Sequence, residues 1–219
     1  MNKSLLASVA VVAVVAIAGG AYFMNQPSSA EAQAADGADR PQFDVVDMLQ
    51  GNPDAPVQVI EYASYTCPHC ASFHANQYQQ LKENYIDTDQ IGFTYREVYF
   101  DQPGLWASMV ARCGGEDRFF GITNVLYETQ QNWARQEDGA AIAASLRQIG
   151  KIAGITDAEL DACMSDGDTA QELMAWYRSN AELDNVTSTP TFIINGEKYS
   201  NMNYADFAAV LDEKLAEAN

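Results

Sequence analysis

The chain has 219 residues, 47% of them hydrophobic, and carries 30 acidic against 12 basic residues for a formal net charge of −18. That balance offers no basic stripe to displace counterions from phosphates, so nucleic acid is excluded as a partner. With 11 tyrosines and 9 phenylalanines there is apolar side chain enough for one well-packed domain, and the acidity reads as a solvated surface.

Residues 1–24 open with a single lysine followed by an unbroken apolar or small-residue run from Leu5 to Met24. This predicts an export signal, close in length to the roughly 20 residues that span a bilayer. Two fates follow. The run is a retained membrane anchor, or it is a signal peptide removed at the small-x-small pattern of Ala32 and Ala34, with a mature start near Ala35. Either places the body in the periplasm or another extracytoplasmic space, tethered or soluble. Residues 25–40, "NQPSSAEAQAADGADR", have almost nothing to bury and read as a flexible linker.

In "PVQVIEYASYT", Val57, Val59, Ile60 and Tyr62 form a short β-branched and aromatic run that predicts a buried strand ending just before Cys67. The next stretch, "CPHCASFHANQYQQLKENY", spaces Cys70, Phe73, Tyr78, Leu81 and Tyr85 as on a helix, with Thr66 as N-cap and Pro68 in the first turn. Residues 91–100, "IGFTYREVYF", predict a second strand and complete a βαβ unit. The patterns over 104–184 are all helical and read as a subdomain inserted between residues 41–103 and residues 185–219 of one α/β domain. In the last part, Thr191 to Ile194 and Lys198 to Tyr199 flank Asn195-Gly196, a hairpin signal, and an amphipathic helix runs from about Tyr204 to Ala216.

The chemistry centres on "CPHC", Cys67 to Cys70. In an oxidising compartment a cysteine pair is read first as a disulfide. A helix N-terminus stabilises negative charge, which favours the thiolate of Cys67, the attacking sulfur. His69 stands between the two sulfurs and can offer Cys67 a donor or a positive charge. Cys70, one turn into the helix, suits the resolving role. As zinc ligands the pair and His74 would still lack a fourth group at recognisable spacing, and Ala71 after the second cysteine excludes covalent haem. No metal is therefore expected, and His74 reads as a packing or surface residue. Cys113 and Cys163, in the helical block, leave an even remainder that is most simply a structural disulfide between two helices, with two buried free thiols or a second redox relay as the alternatives.

"CPHC" after an apolar strand, with "TSTPTFIING" about 120 residues later, resembles the DsbA family of thiol-disulfide oxidoreductases. The resemblance runs from about Phe43 to Ala216. It implies a thioredoxin-like fold with an inserted all-helical subdomain, preceded by the signal peptide or anchor. It implies also that Pro68 and His69 are the family's usual dipeptide, and that Thr189 precedes a cis-proline, Pro190. The two form the wall against which substrate pairs. Glu61, six residues before Cys67, matches a buried acid that exchanges protons with the resolving cysteine; by itself the sequence leaves a solvated strand-edge Glu61 equally open. The expected activity is a disulfide oxidase, acting as a monomer on reduced exported proteins, with no cofactor beyond its own disulfide and a DsbB-like membrane partner for reoxidation. A reductase or isomerase of the same fold, or a non-catalytic metal-binding module, are the alternatives.

Overall fold

The computed structural model describes residues 42–218, so the expected leader and linker, residues 1–24 and 25–40, lie outside the described residues. Five strands form one mixed sheet: β1 (Met48–Gly51), β2 (Val57–Ala63), β3 (Ile91–Glu97), β4 (Thr191–Ile194) and β5 (Glu197–Ser200). Their order is β1-β3-β2-β4-β5; β2 and β3 are parallel, and each other pairing is antiparallel. A parallel pair needs a crossover. It is α1 (Pro68–Phe73), which continues through a π-helical turn (His74–Tyr78), an α-helical turn (Gln79–Leu81) and a second π-helical turn (Lys82–Ile86).

Because β2 is the central strand, both of its faces are covered. Val57, Val59, Glu61 and Ala63 alternate onto one face and are fully buried, and Tyr62 on the other face is buried as well. Val57 and Val59 pack with Phe73, Tyr78 and Leu81 and with Phe207 and Leu211 of the last helix, α8 (Tyr204–Glu217). Asn195 and Gly196 both take positive φ, 48° and 83°, as a two-residue turn between antiparallel strands requires.

Between β3 and β4 the chain is helical: α2 (Gln102–Cys113), α3 (Glu116–Glu128), α4 (Gln130–Trp133), α5 (Gly139–Ile152), α6 (Asp157–Ser165) and α7 (Gly167–Leu183). Side-chain caps mark most of the starts. Asp101 accepts from Gly104 N, Asp138 from Ala141 N, Asp166 from Thr169 N, and Thr156 with Glu159 forms a reciprocal capping box. A disulfide between Cys113 and Cys163, with Cα atoms 5.9 Å apart, ties α2 to α6.

Three details depart from the sequence reading. β1 pairs with β3, Met48 opposite Tyr95, although its four residues are too short to show a period. α4 is too short for the same reason. Thr66 is not the N-cap of α1: Cys67 is, and the Thr66 hydroxyl donates instead to Asp101 Oδ2 at 2.9 Å.

One buried ion pair fastens the insertion to the sheet. Glu97, 1% exposed at the end of β3, takes two parallel 2.7 Å bonds from Arg112 of α2, through Nε and Nη2, and a third from Ser108 Oγ at 2.8 Å. A buried carboxylate stripped of its partner is far costlier than a pair replaced by apolar groups. Arg112→Met is expected to destabilise the protein by about 3–5 kcal/mol, and the Glu97→Met/Arg112→Met double variant by clearly less. Denaturant unfolding of the three proteins checks this; equal losses in single and double variants would show the pair to be unimportant.

Candidate active site

Cys67 occupies the N-cap of α1 with an extended backbone (φ −80°, ψ 119°), and Pro68 fills the first helical position, where a missing N–H loses nothing. A capping oxygen at this position would accept from the next free N–H groups. Here a sulfur stands in its place. As a thiol, Cys67 makes no capping bond of its own and its Sγ–H donates to the Thr189 carbonyl at 3.5 Å. As a thiolate it is held first by the Cys70 thiol, then by the Thr189 hydroxyl and the backbone N–H groups of Cys70 and His69. Together these outweigh burial and lower its pKa to about 5. Thr189 Oγ1 is buried with no other partner among the described residues, so it is free to turn to the sulfur.

Cys70 is the opposite case. It is fully buried, and burial first, then its bond to Cys67 and the charge of Glu61, push its thiol far above the ordinary range. Both cysteines are free thiols, so the structure is the reduced form: one sulfur ready to ionise, the other holding its proton.

The His69 side chain is exposed, and its contribution to the Cys67 thiolate comes through its backbone N–H. The Thr189–Pro190 peptide is cis, Pro190 is buried, and the Thr189 carbonyl faces Cys67. Glu61 is fully buried, beneath α1 and not at a solvated edge. Its Oε2 lies 3.0 Å from Nε2 of His74, which is itself 4% exposed and stacked on Tyr127 with ring centroids 4.2 Å apart. Cys113 and Cys163 sit apart in the insertion, bonded to one another.

Sequence reasoning missed two residues of the site. Gln130 of α4 donates from Nε2 to the carbonyls of Tyr65 (2.8 Å) and Cys67 (2.9 Å), fixing the loop that enters α1. No local pattern marks it, because its partners lie more than sixty residues away. His74 was placed on the helix but not on Glu61; its i+4 spacing from Cys70 was the available signal. Among the described residues no group of three or more His, Cys, Asp or Glu side chains is arranged to hold a metal ion.

Comparison with known proteins fits this geometry. Residues 44–213 match the family model described as thioredoxin. A Rickettsia bellii protein, provisionally named a protein-disulfide oxidoreductase, is 32% identical over 178 residues, covering 81% of this chain and 68% of that one. The crystal structure of Wolbachia pipientis α-DsbA1 superposes with a TM-score of 0.73 at 26% identity, over 78% of this chain and 92% of that one.

The chain belongs to the DsbA family of thiol-disulfide oxidoreductases.

A structure named as a protein-disulfide isomerase from Novosphingobium aromaticivorans is also similar, with a TM-score of 0.68 and 26% identity over 80% of this chain and all of that one. The chain spans about two thirds of the length of the curated relatives it matches. Among the described residues no helix is long and apolar enough to cross a membrane.

The lowered thiol pKa of this DsbA-family enzyme gives a signed prediction. A thiol depressed from its unfolded value of about 8.5 stabilises the reduced protein fully above that pH, and the contribution is lost as pH falls through the folded value of about 5. Thiolate absorbance of the reduced protein should titrate near pH 5 and vanish in Cys67→Ser. The stability margin of the reduced protein over Cys67→Ser should shrink on acidification from pH 8.5 to 5; a titration near 8.5 would refute the assignment.

Proposed function

We propose that the protein is a disulfide oxidase of exported proteins, donating the Cys67–Cys70 disulfide to reduced chains as they fold. The observation that carries this direction is the split between the sulfurs, Cys67 lowered to about 5 and Cys70 raised. A reduced form stabilised as a thiolate makes the disulfide a strong oxidant.

In the reaction a substrate thiolate attacks Cys67 Sγ of the disulfide. The Cys67–Cys70 bond breaks, and Cys70 leaves as a thiolate that takes up a proton from Glu61. A second substrate thiolate then attacks the substrate sulfur of the mixed disulfide, and Cys67 leaves as a thiolate. Two substrate thiols lose two electrons and become a disulfide; the enzyme gains them. An extended substrate strand pairs with the backbone of Thr189 beside the sulfurs, reading main chain and not side chains, so selection is loose. Pro190 and Pro68 shape the walls of that approach, and His69 offers its backbone N–H to the leaving thiolate. The enzyme works outside the cytoplasm as a monomer, needs no cofactor beyond its own disulfide, and is reoxidised by a membrane protein of the DsbB type.

A second reading, the isomerase or reductase direction, is favoured by the similar Novosphingobium structure that carries the isomerase name. The reduction potential separates them. Measured against glutathione in a Cys113→Ala/Cys163→Ala variant, an oxidase should lie near about −120 mV, and a value near about −270 mV would reverse the direction. Cys70→Ser should accumulate mixed disulfides with substrate proteins, and Cys67→Ser should accumulate none.

A further inference from the structure

We propose that His74 is the positioning residue that relays protons between the buried Glu61 and solvent, and so controls how fast Cys70 opens and closes the disulfide. The inference rests on the reading above, that Glu61 exchanges a proton with Cys70.

Each turnover moves a proton into or out of a place that water does not touch, since Cys70 and Glu61 are both fully buried. Cys67 is no exit during that step. In the mixed disulfide its sulfur is bonded to another sulfur and can neither accept nor donate a proton. The strand neighbours of Glu61 close the sides, with Tyr95 of β3 and Phe192 of β4 directly opposite it.

The titratable groups around Glu61 come from three elements: Cys70, His74 and Tyr78 on the helix that begins with α1, Tyr95 on β3, and Tyr127 on α3, with Tyr65 of the loop after β2 packed on the last two rings. The tyrosines hold their protons well above neutrality, in each case first because of burial. Tyr95 and Tyr127 are also bonded to one another, their hydroxyls 2.6 Å apart. His74 differs in kind. Imidazole exchanges protons at neutral pH and has two nitrogens for doing so. Its Nε2 is 3.0 Å from Glu61 Oε2, while its Nδ1 and Glu61 Oε1 are buried with no hydrogen-bond partner among the described residues.

His74 also borders a cavity of about 450 Å³ beside the helix, together with Ala71, Ala75, Gln79, Asn124, Tyr127 and Glu128. It also opens the first π-helical turn, a distortion that recurs at functional sites. The route is then Cys70, Glu61, His74, cavity. When the disulfide closes, Cys70 gives its proton to the Glu61 carboxylate, and its thiolate attacks Cys67 Sγ and expels the bound partner as a thiolate. Glu61 passes the proton to Nε2, and the ring releases one to solvent in the cavity. Opening runs the steps in reverse.

The test mixes the reduced protein rapidly with oxidised glutathione, quenches with acid and follows two species by mass: the Cys67–glutathione mixed disulfide and the closed Cys67–Cys70 form. His74→Gln keeps a donor for Glu61 but cannot pass a proton. It is expected to leave mixed-disulfide formation within about twofold of wild type and to slow closure at pH 7 by about 10-fold or more, the low end of general acid–base effects. His74→Ala opens space beside the cavity, and added imidazole should restore closure there while leaving Glu61→Gln slow. If His74→Ala does not fold, His74→Gln carries the test alone.

Closure at the wild-type rate in His74→Gln, with Glu61→Gln slow, would overturn the relay and leave the role of Glu61 standing. Wild-type closure in both would remove the role of Glu61 and the relay with it. Equal slowing of formation and closure in His74→Gln, or a His74→Ala defect that imidazole does not repair, would show His74 to be structural only.

Discussion

Two sulfurs separated by two residues sit in opposite electrostatic environments, and the chemistry of the protein depends on that difference. Negative charge on Cys67 meets a helix terminus with unpaired N–H groups, a hydroxyl from Thr189 and a thiol from Cys70. Negative charge on Cys70 meets apolar packing and the carboxylate of Glu61. The first sulfur is therefore the more readily ionised, and the second the one that keeps its proton.

The insertion creates the second environment. Cys70 packs in one apolar cluster with Tyr65 and Tyr95 and with Phe119, Leu126, Tyr127 and Trp133 of the helices over it. The polar groups buried there are satisfied across the junction: Tyr65 OH and Thr123 Oγ1 lie 2.7 Å apart, Gln130 serves the carbonyls of Tyr65 and Cys67, and Glu97 takes Arg112. Each of these bonds joins the sheet or the cysteine loop to the insertion. The helical block thus keeps water from Cys70, with the anchors that hold it placed within the same buried layer.

The same enclosure explains why a histidine lies under the helix. A buried carboxylate beside a buried thiol has no direct exchange with water, and the neighbouring tyrosines do not release protons at neutral pH. His74, stacked on Tyr127 and bonded to Glu61, joins the buried carboxylate to the packing that isolates it.

What the amino-acid sequence determined by itself was local. The apolar run at Val57 to Tyr62, the helical spacing after Cys67, and the Asn195-Gly196 turn each carry their structural signal within a few residues, so β2, α1 and the closing hairpin were legible. So was the placing of two cysteines at the start of that helix, because Cys67, Pro68 and Cys70 lie within one turn of chain. Tertiary structure decided the rest, and for one reason: burial and hydrogen-bond partners are set by residues far away along the chain. It made Cys67 the N-cap in place of Thr66, paired the four residues of β1 with β3, put Gln130 on the cysteine loop, brought Thr189 to the sulfur, and turned Glu61 and His74 towards each other.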